Sequence, residues 1–230
     1  MLQLELPAVI GIGMRSKFLA YWGRSLGCLL LTIGLMVSPS AAAEGDQPQG
    51  EAKVTRPPFQ VPPGFEVTIA AGPDLVRHPM MAGFDERGRL FVAESAGMNL
   101  RAGDLEQQLP NGIRMLEDTD GDGRFDRSTV FADKMTFPMG ALWHRGALYV
   151  ASPPYVWRLR DTDGDGVADQ REILVGKFGY IGNAADVHGC FLGPNGRIYW
   201  CDGRHGHEFT DETGKVTSKG LAARGFSINE

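Results

Sequence analysis

Three stretches of the chain repeat one pattern of apolar and polar positions. Residues 81–93, 139–151 and 189–201 each begin with small and apolar residues and pass through a polar turn that ends in glycine. Each then enters a short apolar run: Leu90-Phe91-Val92-Ala93, Leu148-Tyr149-Val150-Ala151 and Ile198-Tyr199-Trp200-Cys201. Short apolar runs joined by a glycine-containing turn predict β-hairpins. In the third, Pro194-Asn195-Gly196 explains the turn: proline presets the first φ, asparagine tolerates the next position, and glycine takes φ > 0. Further strands are predicted at Phe65-Glu66-Val67-Thr68-Ile69, Ser128-Thr129-Val130-Phe131, Val156-Trp157-Arg158-Leu159 and Ile173-Leu174-Val175. About four short strands per forty to sixty residues, repeated, is the pattern of a β-propeller. A β-sandwich would leave the self-similarity unexplained. The expected fold is all-β, a propeller of about six blades when complete, with about three present here. Arg224-Gly225-Phe226-Ser227-Ile228-Asn229-Glu230 reads as a strand entering a further blade, so the chain is expected to be the front part of a longer protein. Trp143, Trp157 and Trp200 fall on strands and are expected to pack between blades.

Composition adds little to the fold but sets the address. The 31 glycines and 14 prolines among 230 residues favour turn-rich β structure over helix. Arg15, Lys17 and Arg24 precede an apolar run over residues 26–37, which ends in Ser38-Pro39-Ser40-Ala41-Ala42-Ala43. Basic, apolar, then small residues is the order of a signal peptide, predicted over 1–43 with cleavage after Ala43. The run is too short to span a bilayer comfortably. Residues 44–62 are polar and proline-rich and are predicted to be a disordered lead-in, leaving 63–230 as the folded domain. The expected location is periplasmic or secreted, possible membrane association included, with no transmembrane segment after the leader. A net charge of −5 without a basic cluster argues against nucleic acid as a partner. Cys190 and Cys201 are the cysteines that survive cleavage. A two-residue Asn195-Gly196 turn would set them opposite one another, and a three-residue loop with a bulge would misalign them. Pro194 favours the second, so a disulfide stays open.

The strongest chemical signal is a repeated acidic turn. Asp161, Asp163, Asp165, Asp169 and Glu172 stand at positions 1, 3, 5, 9 and 12 of a loop with Gly166 at position 6. That is the ligand spacing of a twelve-residue calcium loop. Asp118, Asp120, Asp122 and Asp126 repeat it, with Thr129 where the closing glutamate would fall. Asp and Gly favour plain turns as well, but two near-identical copies argue for Ca²⁺. Strands flank both loops, so these are calcium turns between strands, EF-hand-like in ligand spacing but not helix-loop-helix hands.

Residues 79–94, the Asp-x-Asp-Gly-Asp-Gly turns, and Asp186-Val187-His188-Gly189 ahead of Gly193-Pro194-Asn195-Gly196-Arg197-Ile198-Tyr199 together resemble a bacterial group. The group is the N-terminal propeller of membrane-bound dehydrogenases, relatives of the soluble glucose/sorbosone dehydrogenases that use pyrroloquinoline quinone (PQQ). The resemblance covers about residues 58–230. It implies a sugar or alcohol substrate, PQQ as cofactor, and a downstream haem c domain as electron acceptor. It also implies a catalytic base at His188, which would take a proton from the sugar C1 hydroxyl as hydride passes to the quinone. Asp186 and Asp202 are the acids available to orient it, and Arg204 is a candidate contact to the anionic cofactor. The match is inexact: His188 lies closer to the Gly-Pro turn than in the sugar enzymes, and Asp202 is out of register with their orienting acid. A loop histidine capping a strand is the alternative for His188. His205 and His207 read as members of a solvated loop rather than a zinc site, since no second ligand set lies nearby. Two other functions fit the same residues. One is a non-catalytic propeller binding glycans or a protein, and the other is a calcium-dependent lactonase or esterase.

Overall fold

A computed structural model describes residues 9–14, 60–221 and 224–229. The leader expected over 1–43 and the lead-in over 44–62 lie almost wholly outside the described residues. The strand β1 (Val9–Met14) falls within that leader. The chain divides into two units, one of Met1–Gly11 with Ile69–Glu230 and one of Ile12–Thr68. Of the second, the described part is residues 12–14 and 60–68, including the start of β2 (Phe65–Ala71). Everything below concerns the first.

That unit is nearly all β and built from consecutive antiparallel sheets. β3 (Pro79–Phe84), β4 (Leu90–Glu94), β5 (Asn111–Glu117) and β6 (Arg127–Met135) pair in sequence order. A short helix α1 (Ala102–Gln108) lies between β4 and β5. β7 (Leu142–His144), β8 (Ala147–Ser152), β9 (Tyr155–Arg160) and β10 (Gln170–Gly176) form a second four-stranded meander. In the third sheet β11 (His188–Leu192) pairs with β12 (Ile198–Cys201), and β12 with β15 (Gly225–Ile228). The hairpin of β13 (His207–Thr210) and β14 (Val216–Gly220) is inserted before that last strand.

The three expected hairpins are β3–β4, β7–β8 and β11–β12. The first turn is held by a side chain. Asp85 Oδ1 accepts the amides of Arg87 and Arg89, both at 2.9 Å, while Gly88 takes φ +83°. Its other oxygen accepts Arg89 Nε at 2.6 Å, which satisfies a buried carboxylate.

Packing explains why β4 and β8 are apolar without a polar alternate. β8 is buried along its whole length. Leu148 and Val150 join Phe91, Ile113 and Phe131 of the first sheet in one core. Ala147, Tyr149 and Ala151 point the other way, into a core with Ile198 and Trp200 of the third sheet. Leu90, Val92 and Leu116 cover the outer side of the first sheet with Ala71 and Val76. The sheets are thus stacked face to face. Trp143 stacks on Phe91 between the first two, with ring centroids 4.9 Å apart. At the first strands the sheets touch backbone to backbone. A Cβ on Gly83 would lie 1.9 Å from the Ala141 carbonyl oxygen, and one on Gly140 would lie 1.4 Å from that of Gly189.

Both cysteines are free. The ladder sets Cys201 opposite His188, and the register slips between Gly189 and Phe191, so Cys190 is the bulged residue. This is the misaligned outcome that Pro194 favoured. Cys190 points into the core and burial pushes its thiol up to about 12, whereas Cys201 is exposed. Under native conditions iodoacetamide is expected to label Cys201 and to spare Cys190, as read by peptide mass mapping. Labelling of both at similar rates would contradict the bulge.

Candidate functional site

His188 opens β11 at the end of a tightly built loop. The Asp186 carboxylate is fully buried and accepts the amides of Gly182 at 2.8 Å and Asn183 at 2.7 Å, with Ile181 at 3.2 Å. A buried carboxylate ringed by amides fixes the loop. It does not touch His188 through its side chain. Instead the Asp186 carbonyl oxygen accepts His188 Nδ1 at 2.8 Å. Among the described residues Nε2 has no hydrogen-bond partner. Arg204 is exposed, and its amide donates to the Ala185 carbonyl at 3.0 Å, so it sits beside the same loop. His205 is half-buried, with Nε2 3.8 Å from Asp186 Oδ1.

Asp202, the second acid considered for His188, is engaged elsewhere. Its Oδ2 accepts His207 Nδ1 at 2.9 Å, and His207 Nε2 meets Ser218 Oγ at 2.9 Å. His207 is therefore no solvated loop residue. It is buried, with its ring against Phe209 at 4.6 Å and Phe226 at 4.9 Å. The connectivity is that of an acid–imidazole–hydroxyl relay. With the side chains of both His207 and Asp202 closed to solvent, a substrate carbonyl has no approach, and the chain of bonds ties the β13–β14 hairpin to the end of β12.

The two acidic turns occupy equivalent places, each joining the third and fourth strands of its sheet, β5 to β6 and β9 to β10. They fold alike. Asp118 accepts the amides of Gly121 and Gly123 at 2.7 and 2.9 Å, and Asp161 accepts those of Gly164 and Gly166 at the same two distances. Those amides, Gly123 first, hold the Asp118 carboxyl below its ordinary range, and the Thr162 hydroxyl does so for Asp169. Ligand oxygens of Asp118, Asp120 and Asp126 lie within 4.8 Å of one another, as do those of Asp161, Asp163 and Asp165. Asp122 and Asp169 fall outside these groups. Asp122 accepts the Arg124 amide at 2.8 Å, and Asp169 accepts that of Thr162 at 3.0 Å. Glu172, expected to close the second loop, instead pairs with Arg158 across the β9–β10 ladder. Each turn gathers three carboxylates, an incomplete shell for an ion that takes six to eight oxygens, so backbone carbonyls and water would supply the remainder.

These features define an all-β protein of successive antiparallel meanders, with an acidic turn between the third and fourth strands of two of them. The chain belongs to the family described as a domain of unknown function (DUF7133), whose model matches residues 52–228. No curated protein matches it.

Proposed function

We propose that the stacked sheets are blades of a β-propeller and that His188 is a general base acting on a sugar or alcohol hydroxyl, in a dehydrogenation of the PQQ-dependent type. The observation that carries this reading is the 2.8 Å bond from His188 Nδ1 to the Asp186 carbonyl. A carbonyl oxygen only accepts, so Nδ1 holds the proton and Nε2 keeps a lone pair, the form a base needs. The propeller reading is supported by the sequential order of the sheets, their face-to-face stacking, and the close approach of each first strand to the next.

The cofactor fits less well. PQQ carries several carboxylates, and Arg204 is a single guanidinium brought to this loop by the hydrogen bond from its backbone amide to the Ala185 carbonyl. The reading therefore needs further cationic contacts beyond this loop to hold the rest of the cofactor. The part of His188 is to take the hydroxyl proton onto Nε2 and pass it to water.

The test is dye reduction by an aldose with added PQQ and Ca²⁺. His188→Ala should lower the rate by about 10²–10⁴-fold with melting unchanged. A wild-type chain with no PQQ-dependent turnover of aldoses or alcohols sinks the assignment.

The acidic turns are proposed to hold Ca²⁺, which would pin the outer two strands of each sheet. An ion bound only to the folded state adds about 2.7 kcal/mol at a hundred times its Kd. Chelation should thus lower the melting temperature by several degrees, and unchanged melting would refute the metal at both turns. The leader would place the protein in the periplasm or outside the cell. Among the described residues no helix is long and apolar enough to cross a membrane.

A further inference from the structure

A cavity that His188 does not line lies at the end of the first two sheets, where β6 stops and β8 turns into β9. Its volume is about 650 Å³, in the range of small-molecule sites. The floor is apolar and buried, from Met135, Leu159 and Phe178. One wall is aromatic. Trp157 and Tyr155 meet edge to face with centroids 5.6 Å apart, and the Trp157 indole is fixed by donating to the Ser152 carbonyl at 3.3 Å. Tyr180 stands in the same cavity and donates to Glu106 of α1 at 2.9 Å. Burial, and then that carboxylate, hold its phenol above the ordinary range, so it remains a donor.

The rim is charged. Lys134, Lys177 and Arg171 line it against one carboxylate, Glu106, in a protein of net charge −5. Arg171 is committed, donating to the Asp133 carbonyl and carboxylate at 2.7 and 2.8 Å. No hydrogen bond or ion pair engages either lysine ammonium among the described residues. Each lysine is nevertheless placed by its backbone. Asn111 pairs with Met135 and Ile113 with Ala132, so β6 carries one extra residue there and bulges, and Lys134 takes φ +53°. A side chain at positive φ is strained, and bulges of this kind re-aim a residue. Lys177 exchanges both backbone bonds with Glu208, at 3.2 and 3.0 Å.

We propose that this cavity binds an acidic saccharide, a pyranose ring carrying a carboxylate. The sugar ring packs against the corner formed by Trp157 and Tyr155, the carboxylate takes the two free ammonium groups, and ring hydroxyls donate to Glu106. Each part of the site has a counterpart in that ligand. A neutral sugar leaves the lysines idle, and a plain aromatic carboxylate leaves Glu106 facing an anion with no donor between them. The site stands apart from the His188 reading and does not depend on it.

The test is calorimetric titration of the full chain with trigalacturonate, maltotriose and benzoate, with tryptophan fluorescence as a second readout. Trigalacturonate should bind saturably, quench Trp157 and weaken as salt rises, because the lysines are exposed. Maltotriose should bind at least about tenfold more weakly. The double variant K134G/K177Q removes both ammonium groups, and glycine tolerates the positive φ at 134. It should lose about tenfold in trigalacturonate affinity with melting unchanged. The proposal is overturned by an absence of saturable trigalacturonate binding up to about 10 mM. It is equally overturned if maltotriose binds as tightly, if benzoate binds more tightly, or if the variant binds like the wild type.

Discussion

Replacing His207 with alanine is expected to cost about 3–5 kcal/mol, because it leaves the buried Asp202 carboxylate without its partner. Among the described residues Asp202 Oδ1 has no hydrogen-bond partner, so Oδ2 and its bond to His207 Nδ1 carry the burden of a carboxylate closed off from water. Taking the imidazole away leaves both oxygens bare and opens a hole beside Phe209 and Phe226. For a chain of this size the change corresponds to a fall in melting temperature of roughly 6–20 °C. Asp202→Asn should be milder, because the amide oxygen still accepts from Nδ1 and no charge stays buried. Urea unfolding of the two variants measures the difference. If His207→Ala loses less than about 1 kcal/mol, the relay is not what fastens the β13–β14 hairpin.

Gly140→Ala is expected to damage folding at least as much. The added Cβ would lie 1.4 Å from the Gly189 oxygen, 2.4 Å from its carbon and 2.8 Å from the Cys190 nitrogen. All three are backbone atoms, and none can rotate away as a side chain would. The first strands of the second and third sheets would have to part, disrupting the Gly189 to Met139 bond of 3.0 Å and the core behind it. A loss above about 4 kcal/mol, or no soluble protein, is the expected result. Gly103→Ala is the control. That glycine lies in α1, where an added Cβ would meet nothing within 4 Å among the described residues outside the helix's own backbone, and alanine there should be neutral or stabilising by up to about 1 kcal/mol. Similar unfolding curves for the two variants would mean that the sheets do not meet at Gly140.

The hairpins were legible because apolar runs and glycine turns are local signals, and strands buried on both faces need no alternation. β5 was harder to read. Arg114 interrupts its apolar residues, and it emerges as a strand through pairing with β4 and β6 on either side. α1 has one buried residue, Leu105, and seven residues give too little periodicity to register. The β13–β14 hairpin did carry a local clue. Asp211-Glu212-Thr213-Gly214-Lys215 repeats the order of Asp85-Glu86-Arg87-Gly88-Arg89, and its aspartate caps the turn in the same way, accepting Thr213 and Lys215 amides at 3.0 Å. Sequence spacing also drew Asp186 and Asp202 toward His188. Their side chains went to loop amides and to His207, because buried carboxylates are claimed by whichever donors fold next to them, a tertiary fact that spacing does not contain. The acidic turns themselves are set locally, where side chain and backbone lie within one loop, and Asp118 and Asp161 hold equivalent glycine amides. The reading failed at Glu172, which a strand carries across to Arg158.

β8 gives Leu148 and Val150 to one core and Tyr149 to the next. A wall shared in this way makes the two cores poor candidates for independent melting, since neither can loosen without uncovering a face of the same strand. Damage introduced on one side of the strand is thereby felt on the other. The sheets behave as links of one cooperative block rather than as separately folding repeats.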